Sequence, residues 1–554
     1  MVSPSGDRRS RVGRGSRPVE RGSGRSLLEF LLDPASYAHR PRSIHLVQTH
    51  ASLVVLASPF VFKIKKPVDF GFLNFSTLAK RHAACLTEVE LNRRLTSGVY
   101  LGVVAIVRDG GRLRFAKTGE RSRVVEYAVQ MRRLSSRYFL DHRLRRRAVG
   151  RREIMRIVAF LARFYRAQRP TKEVSQWGTV AHLRFNTDEN FTQAERHAGG
   201  TISRESLAAI RAYTNGFLRR HGKFFTRRVR EGWIRDCHGD LHAEHIHITP
   251  RAVNIYDCIE FNDRIRYGDV ASDVAFLAMD LDFEGRADLA SEFVAKMARA
   301  LRDDDLSRLM DFYKCYRAFV RGKVESLHSV AAQTPAVERL AAADRARRYF
   351  QLALRYATIG SAPAALVVMG GTGSGKSRIA QALASEFGCD VFSSDRIRKA
   401  LAGRPLYERT PSKERAGLYN ASMTARTYGA LLDHALGAVR RGEGVVLDAT
   451  FGNRVHRHAF RRALSAAGAN AIFVEAHAPA AVVRKRLARR EHERREVSDA
   501  RLGDYAELTR RYEGPVELPR SQRIRVSTTA TPPATLAHLL KQLAGLRLAS
   551  QAVT

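Results

Sequence analysis

The sequence predicts an α+β domain, with a β-rich small lobe and a helical lobe, followed by an α/β domain built on a parallel sheet. Three observations carry this. Strand-like alternation dominates residues 43 to 131, after which the chain turns mostly helical. Near residue 365 a buried apolar run, a glycine-rich loop and a helical pattern follow one another, as a phosphate site on a parallel sheet requires. Between the two regions Gly360-Ser361-Ala362-Pro363 reads as a connection.

Residues 1–26 are rich in arginine among Gly, Ser and Pro and offer almost nothing to bury, so they predict a disordered basic tail. The first domain then covers 27–335. Ser52 to Leu56 and Pro59 to Lys65 read as strands across a short turn, a helix follows from about Thr77 to Arg94, and further strands are expected at Val99 to Arg108, Arg112 to Lys117 and Val124 to Met131. An Ala- and Arg-rich helix from Ala336 to Tyr356 forms, with the linker after it, a connecting segment over 336–360. Residues 361–554 make the second domain, its sheet accompanied by a helical lid. There is no internal repeat.

Composition sets limits on function. The 554 residues are 44% hydrophobic and 27% charged, the balance of a globular protein with ample core. Cys85, Cys237, Cys258, Cys315 and Cys389 are scattered, with no C-x-x-C pair and an odd total, which argues against a disulfide framework or a zinc site and for a reducing cytoplasm. No apolar run approaches the ~18 residues that span a bilayer, so no membrane role is expected. Arg8-Arg9 lacks the long apolar segment of an export signal. The net charge of +40 makes nucleic acid a conceivable partner, but its arginines are spread through helices and tail rather than gathered with aromatics in one stripe. A small-molecule partner is the expectation.

Gly370-Gly371-Thr372-Gly373-Ser374-Gly375-Lys376-Ser377 fits G-x-x-x-x-G-K-[ST]. Glycines let successive backbone amides turn toward phosphate oxygens, and the helix start adds its positive end. Lys376 would reach the β and γ phosphates of ATP and Ser377 would ligate Mg²⁺. The next strand ends at Asp395, placed to accept a hydroxyl proton, with Arg398 one turn on to hold an anionic group of the acceptor. Gly444 to Thr450 is a buried strand whose Asp448 takes the position that contacts Mg²⁺, with Arg454 and Arg457 expected near the same edge. After the strand Ala471 to Glu475, Val482 to Arg495 carries Arg484, Lys485, Arg486, Arg489, Arg490, Arg494 and Arg495, a lid that could neutralise a transferring phosphoryl group. Arg486 and Arg490 are its candidate catalytic members.

Upstream, Cys237-His238-Gly239-Asp240-Leu241-His242 precedes Ile255-Tyr256-Asp257 by one hairpin. An H-x-D loop and a downstream Asp at a strand end are what a kinase-like site uses to bring a catalytic carboxylate and a metal-binding carboxylate to one phosphate. Asp240 would orient or deprotonate the acceptor hydroxyl, and Asp257 would hold Mg²⁺. With VFKIKKPVDFGFLNFSTLAKR at 61–81, CLTEVELNRRL at 85–95, EYAVQMRRL at 126–134, IYDCIEFNDRIRYGDVASDVAFLAMDL at 255–281 and FYKCYRAFVRGKV at 312–324, the chain resembles the aminoglycoside phosphotransferase family, specifically its two-domain members in which such a protein-kinase-like domain precedes a P-loop ATP-binding domain.

That resemblance implies that Lys63 pairs the ATP phosphates and is positioned by Glu88, with Lys65 a competing candidate on the same face. It implies further that Glu126 to Met131 is the hinge reading adenine and that Asp269 and Asp273 brace the catalytic loop. His245 stands where the family has a metal-binding Asn. Imidazole prefers transition metals to Mg²⁺, so weak binding of ATP and Mg²⁺ is expected of this half. His238, His242, His245 and His247 cluster as a transition-metal site would, or simply line a strand and loop.

The second half resembles the P-loop kinases that include polynucleotide kinase, zeta toxin and chloramphenicol phosphotransferase, which implies phosphoryl transfer to a hydroxyl. The leading expectation is an ATP-dependent kinase of a small hydroxylated molecule, with the P-loop domain as the active half. The alternatives are a polynucleotide 5′-hydroxyl kinase, and a ligand-sensing first domain that regulates a P-loop ATPase.

Overall fold

The computed structural model describes residues 26–551 apart from 72, 118, 119, 121, 333 and 494. The expected basic tail and lid residue Arg494 therefore lie outside the described residues, save Ser26, which forms a capping box with Glu29 on the helix Leu27–Leu32. Contacts divide the chain into two compact units. One holds the chain up to Thr179, Arg228–Glu284 and Leu289–Asp304; the other holds Val180–Arg227, Gly285–Asp288 and Asp305–Thr554.

In the first unit, β1 (His45–Gln48), β2 (Ser52–Ala57), β3 (Phe60–Lys65), β4 (Tyr100–Asp109), β5 (Arg112–Phe115) and β6 (Val124–Arg132) form one antiparallel sheet in the order β1-β2-β3-β6-β4-β5. Side chains of a strand alternate between faces, and β3 shows what that achieves. Phe62 and Ile64 enter a core with Phe30, Tyr37, Val55 and Ile106, while Val61 joins Cys85 and Val89 on the opposite side, which the helix Leu78–Arg93 covers. Lys63 and Lys65 share the parity of Val61, so both ammonium groups are carried to the helix side. Thr77 caps that helix by accepting from the Lys80 amide.

Two small ribbons follow, β7 (Ile234–Asp236) with β10 (Tyr267–Asp269), and β8 (Ile246–Ile248) with β9 (Val253–Ile255). The loop between β7 and β8 carries Asp240, and the turn after β9 carries Asp257. β6 is the expected strand but not the expected hinge. It pairs with β4 from Val124 to Met131 and with β3 from Ala128 to Arg132, so Glu126 to Met131 belong to the sheet rather than to a hinge for adenine.

In the second unit, β11 (Ala364–Met369), β12 (Asp390–Ser393), β13 (Val445–Asp448), β14 (Asn470–His477) and β15 (Arg523–Ser527) make an all-parallel sheet in the order β12-β13-β11-β14-β15. β11 is buried along its whole length, as a strand covered on both faces must be. The helix expected as a connector, Ala336–Thr358, packs closely on Leu306–Val330: a Cβ added at Gly322 would lie 2.9 Å from the Phe350 ring. The helix Pro532–Ser550 lies against Arg204–Arg220, with Tyr213 donating to Gln551 at 2.9 Å. Contacts thus group 305–360 with the P-loop sheet, whereas the sequence suggested a boundary near residue 360. The residues of 305–330 face apolar partners on 336–358, which no local pattern reveals.

Candidate functional site

The P-loop of the second unit begins where β11 ends. Gly370 has φ 143° and a Cβ there would stand 2.3 Å from the Ala476 carbonyl oxygen, so only glycine fits. The loop runs into the helix Lys376–Phe387, capped by Gly375 in the left-handed conformation, with no side chain on its first amides. Ser374 Oγ is buried and has no hydrogen-bond partner among the described residues. The Thr528 hydroxyl, just past β15, donates to the Ser374 carbonyl at 2.7 Å and steadies the loop from behind.

Neighbouring strand ends bring the predicted carboxylates to this loop. Asp448, the last residue of β13, is buried, and its Oδ1 has no hydrogen-bond partner among the described residues. Burial pushes its carboxyl above the usual range, with Lys376, Ser377 and Ser393 pulling the other way and Asp395 adding to the rise. Asp395 sits in the first turn of the helix Ser394–Leu401, next after β12. Lys376, the Ser377 hydroxyl and Asp395 therefore all act on the Asp448 carboxyl at the carboxyl ends of the strands. A buried carboxylate oxygen with no partner, beside a P-loop serine, suits a hard cation such as Mg²⁺.

The predicted arginines are placed differently from one another. Arg398 is buried, donates to the Leu418 carbonyl at 3.1 Å and Thr424 Oγ1 at 3.3 Å, and lies 4.7 Å from the Tyr419 ring centre. Arg486, on the helix Ala480–Arg490, donates to Thr528 Oγ1 at 2.9 Å and the Thr528 carbonyl at 2.6 Å. Burial and the neighbouring Arg378, Arg490 and Arg489 lower its pKa. Arg490 pairs with Glu496 at 3.2 Å. Arg457 belongs to the framework: it is fully buried and is held by Glu517 and the carbonyls of Phe451 and Glu513. Arg454 is exposed.

Sequence reasoning missed Thr528, Tyr419 and the buried Lys399, which donates to the carbonyls of Leu406 and Glu408 and lies 3.7 Å from Asp499. Asp499 also accepts from the amide and hydroxyl of Thr410. Asp499 and Thr528 lie far along the chain from the groups they hold, so no spacing signals them.

The first unit holds the second set of predicted residues. Lys63 Nζ donates to Glu88 at 2.8 Å and to Asp257 at 2.7 Å. Lys65 donates to the other oxygen of Glu88 at 2.8 Å and to Glu260. Lys63 is thus the lysine that touches the strand-end carboxylate. Burial disfavours the charged form of Lys63, but Asp257 and Glu88 outweigh it and hold its pKa well above the ordinary value. Burial alone would raise the Asp257 carboxyl, yet Lys63 and then His245 bring it down to about 2.

The loop carrying Asp240 is braced from below. Asp273 accepts from the amides of His238 and Gly239 at 2.7 and 3.0 Å, and Asp280 accepts from Ala243 at 2.7 Å. Asp269 binds Arg228 through both oxygens, at 2.8 and 2.7 Å, and caps the helix Val270–Phe283. His245 lies between the two carboxylates: Nδ1 is 3.6 Å from Asp240 Oδ2 and Nε2 is 3.6 Å from Asp257 Oδ2.

Comparison with known proteins adds relatives to this geometry. A family model described as an AAA domain matches residues 366–515, which run from β11 through β14 and the helix Ala480–Arg490. Uncharacterized protein Rv2004c of Mycobacterium tuberculosis is 32% identical over 421 residues, covering 76% of this chain and 80% of its own length. A protein of Mycobacterium bovis matches to the same extent. Among solved structures, a gluconokinase from Sinorhizobium meliloti is 21% identical, with a TM-score of 0.24, covering 34% of this chain and 94% of its own. A choline/ethanolamine kinase family protein from Mesorhizobium loti is 12% identical, with a TM-score of 0.34, over 59% of this chain and 98% of its own.

Proposed function

The chain belongs to the family of these mycobacterial relatives, and from the cluster at its P-loop we propose that it is an ATP-dependent kinase whose second unit transfers the γ phosphoryl group to a hydroxyl of a small molecule. The observation that carries this reading is the gathering of Lys376, Ser377 and Asp395 about Asp448 at the strand ends beside the glycine loop.

Each residue has a part it can physically perform. The amides of Gly371 to Gly375 and the first turn of the following helix bind phosphate oxygens, and Lys376 neutralises charge as it develops on them. Ser377 and Asp448 would hold Mg²⁺, which supplies Lewis acidity at the phosphates. Asp395 takes the proton of the attacking hydroxyl, a role its partly exposed position permits. Arg486 fixes the lid helix to Thr528, and so to the P-loop, while Arg490, one turn on, is the candidate for transition-state charge. Arg398 shapes the acceptor side by holding Leu418, Tyr419 and Thr424 together. The first unit, with Lys63 already bound to Asp257 and a histidine at residue 245, is the less active half and binds ATP with Mg²⁺ weakly.

The test is a phosphotransfer screen across hydroxylated metabolites, antibiotics and oligonucleotides. Lys376→Ala should abolish ATP turnover, and Asp395→Asn should lower transfer by about 10²- to 10⁴-fold while ATP still binds. Full turnover in Lys376→Ala removes the assignment; oligonucleotides as the sole acceptors replace the small molecule with a nucleic acid.

A further inference from the structure

Four histidines lie within ten residues at the first unit's catalytic loop, and the structure sorts them. His238 has both ring nitrogens engaged, Nε2 with the Tyr256 carbonyl at 3.0 Å and Nδ1 accepting from the Asp240 amide at 3.2 Å. His247 turns its Nε2 to the Ser135 carbonyl at 3.2 Å. His242 and His245 behave differently. Their rings are 4.0 Å apart between centres, both are buried, and each reaches the same oxygen: Asp240 Oδ2 is 3.5 Å from His242 Nε2 and 3.6 Å from His245 Nδ1. One donor atom from each of Asp240, His242 and His245 lies within 4.8 Å of the others.

We propose that Asp240, His242 and His245 form a binding site for a divalent transition-metal ion of the Zn²⁺ class, in place of the Mg²⁺ site that the loop would otherwise build. Two of the donor separations already approach the edge of a tetrahedron with bonds of about 2.1 Å, which is about 3.4 Å long. Two imidazoles and one carboxylate are a borderline donor set that favours Zn²⁺, Co²⁺ or Ni²⁺ over Mg²⁺, whose preferred ligands are oxygens. Asp257 stands beside the set, its Oδ1 bound to Lys63 at 2.7 Å and its Oδ2 3.6 Å from His245 Nε2.

Binding exchanges present contacts for the ion, among them that of His245 Nδ1 with the Asp240 carbonyl at 2.9 Å. The loop bearing all three ligands is fixed by Asp273 and Asp280, so little ordering is required. Asp240 is the most exposed of the three, which gives the ion its entry and leaves a fourth position for water or a phosphate oxygen. This inference concerns a different unit from the P-loop and stands whether or not the kinase assignment does.

Full-length protein, stripped of metal and free of nucleotide, is titrated with Co²⁺ and then Zn²⁺. The expected result is one Co²⁺ per chain with the visible absorption of a tetrahedral site, displaced by Zn²⁺. His242→Ala and His245→Asn should each weaken Zn²⁺ binding by at least about a hundredfold, since each removes one of only three protein ligands. X-ray absorption of the Zn²⁺-loaded wild type should report two imidazole ligands, a readout that does not depend on the variants folding. No stoichiometric binding by wild type, a spectrum with fewer than two imidazoles, or undiminished binding by both folded variants would overturn the proposal.

Discussion

Buried charges in this protein are held by neighbours, and removing one partner exposes the cost of the other. Lys63→Met would leave Glu88 and Asp257 buried with less compensation, and the expected loss is about 3–5 kcal/mol, read by urea denaturation. The Asp257 carboxyl, lowered to about 2, stabilises the fold above its unfolded value of 3.8, and that contribution disappears as pH falls through about 2. Asp448 has the opposite sign. Its folded pKa is raised, so the stability it contributes is full below 3.8 and is lost as pH rises through the folded value. Asp448→Asn should therefore raise the melting temperature of the nucleotide-free protein at neutral pH while removing Mg²⁺-dependent ATP turnover. A melting temperature that falls in that variant would contradict the burial argument.

Helices and strands reveal how close two backbones must come. Gly322 lets Leu306–Val330 meet Ala336–Thr358, and Gly322→Ala would push a methyl group into the Phe350 ring, at a cost of about 1–3 kcal/mol by equilibrium unfolding. Elements of this kind were legible where a local pattern exists. The strands from β2 to β6 follow from alternation and the P-loop from its glycines. The candidate hinge at Glu126 to Met131 failed because a strand's end cannot be told from its continuation when Val, Tyr and Met serve both. The Lys399–Asp499–Thr410 network, and the burial of Arg398 against Tyr419, join segments far apart in sequence. No spacing rule encodes such pairs, so the surroundings of the helix Ser394–Leu401 are the least legible part of the second unit. The His245 substitution was visible at once, but its alignment with His242 on a single oxygen of Asp240 was not.

At the scale of the whole molecule, the second unit is assembled from separated stretches of chain. Helix Arg204–Arg220 meets the C-terminal helix through Gly216, which faces Leu548, and through Tyr213 and Gln551. Arg547 pairs with Asp311, and Glu386, at the end of the P-loop helix, accepts from Ser203 at 2.6 Å and also from Ser206. A fragment of residues 361–554 alone would expose the faces these contacts cover. It should melt below the ATP-stabilised transition of the full chain and expose apolar surface to a fluorescent dye; equal melting would show that the sheet and its lid stand alone. No helix among the described residues is long and apolar enough to cross a membrane.

The packing of Arg204–Arg220 on Pro532–Ser550 also bears on inheritance. A crossover between two genes at the codons for residue 360 would part Arg204–Arg220 from Pro532–Ser550 and Asp311 from Arg547, whereas one near residue 305 would still strand Arg204–Arg220 on the wrong parent. Chimeras of relatives should thus fold only when 180–227 and 305–554 come from the same ancestor, which soluble expression and thermal melting would check.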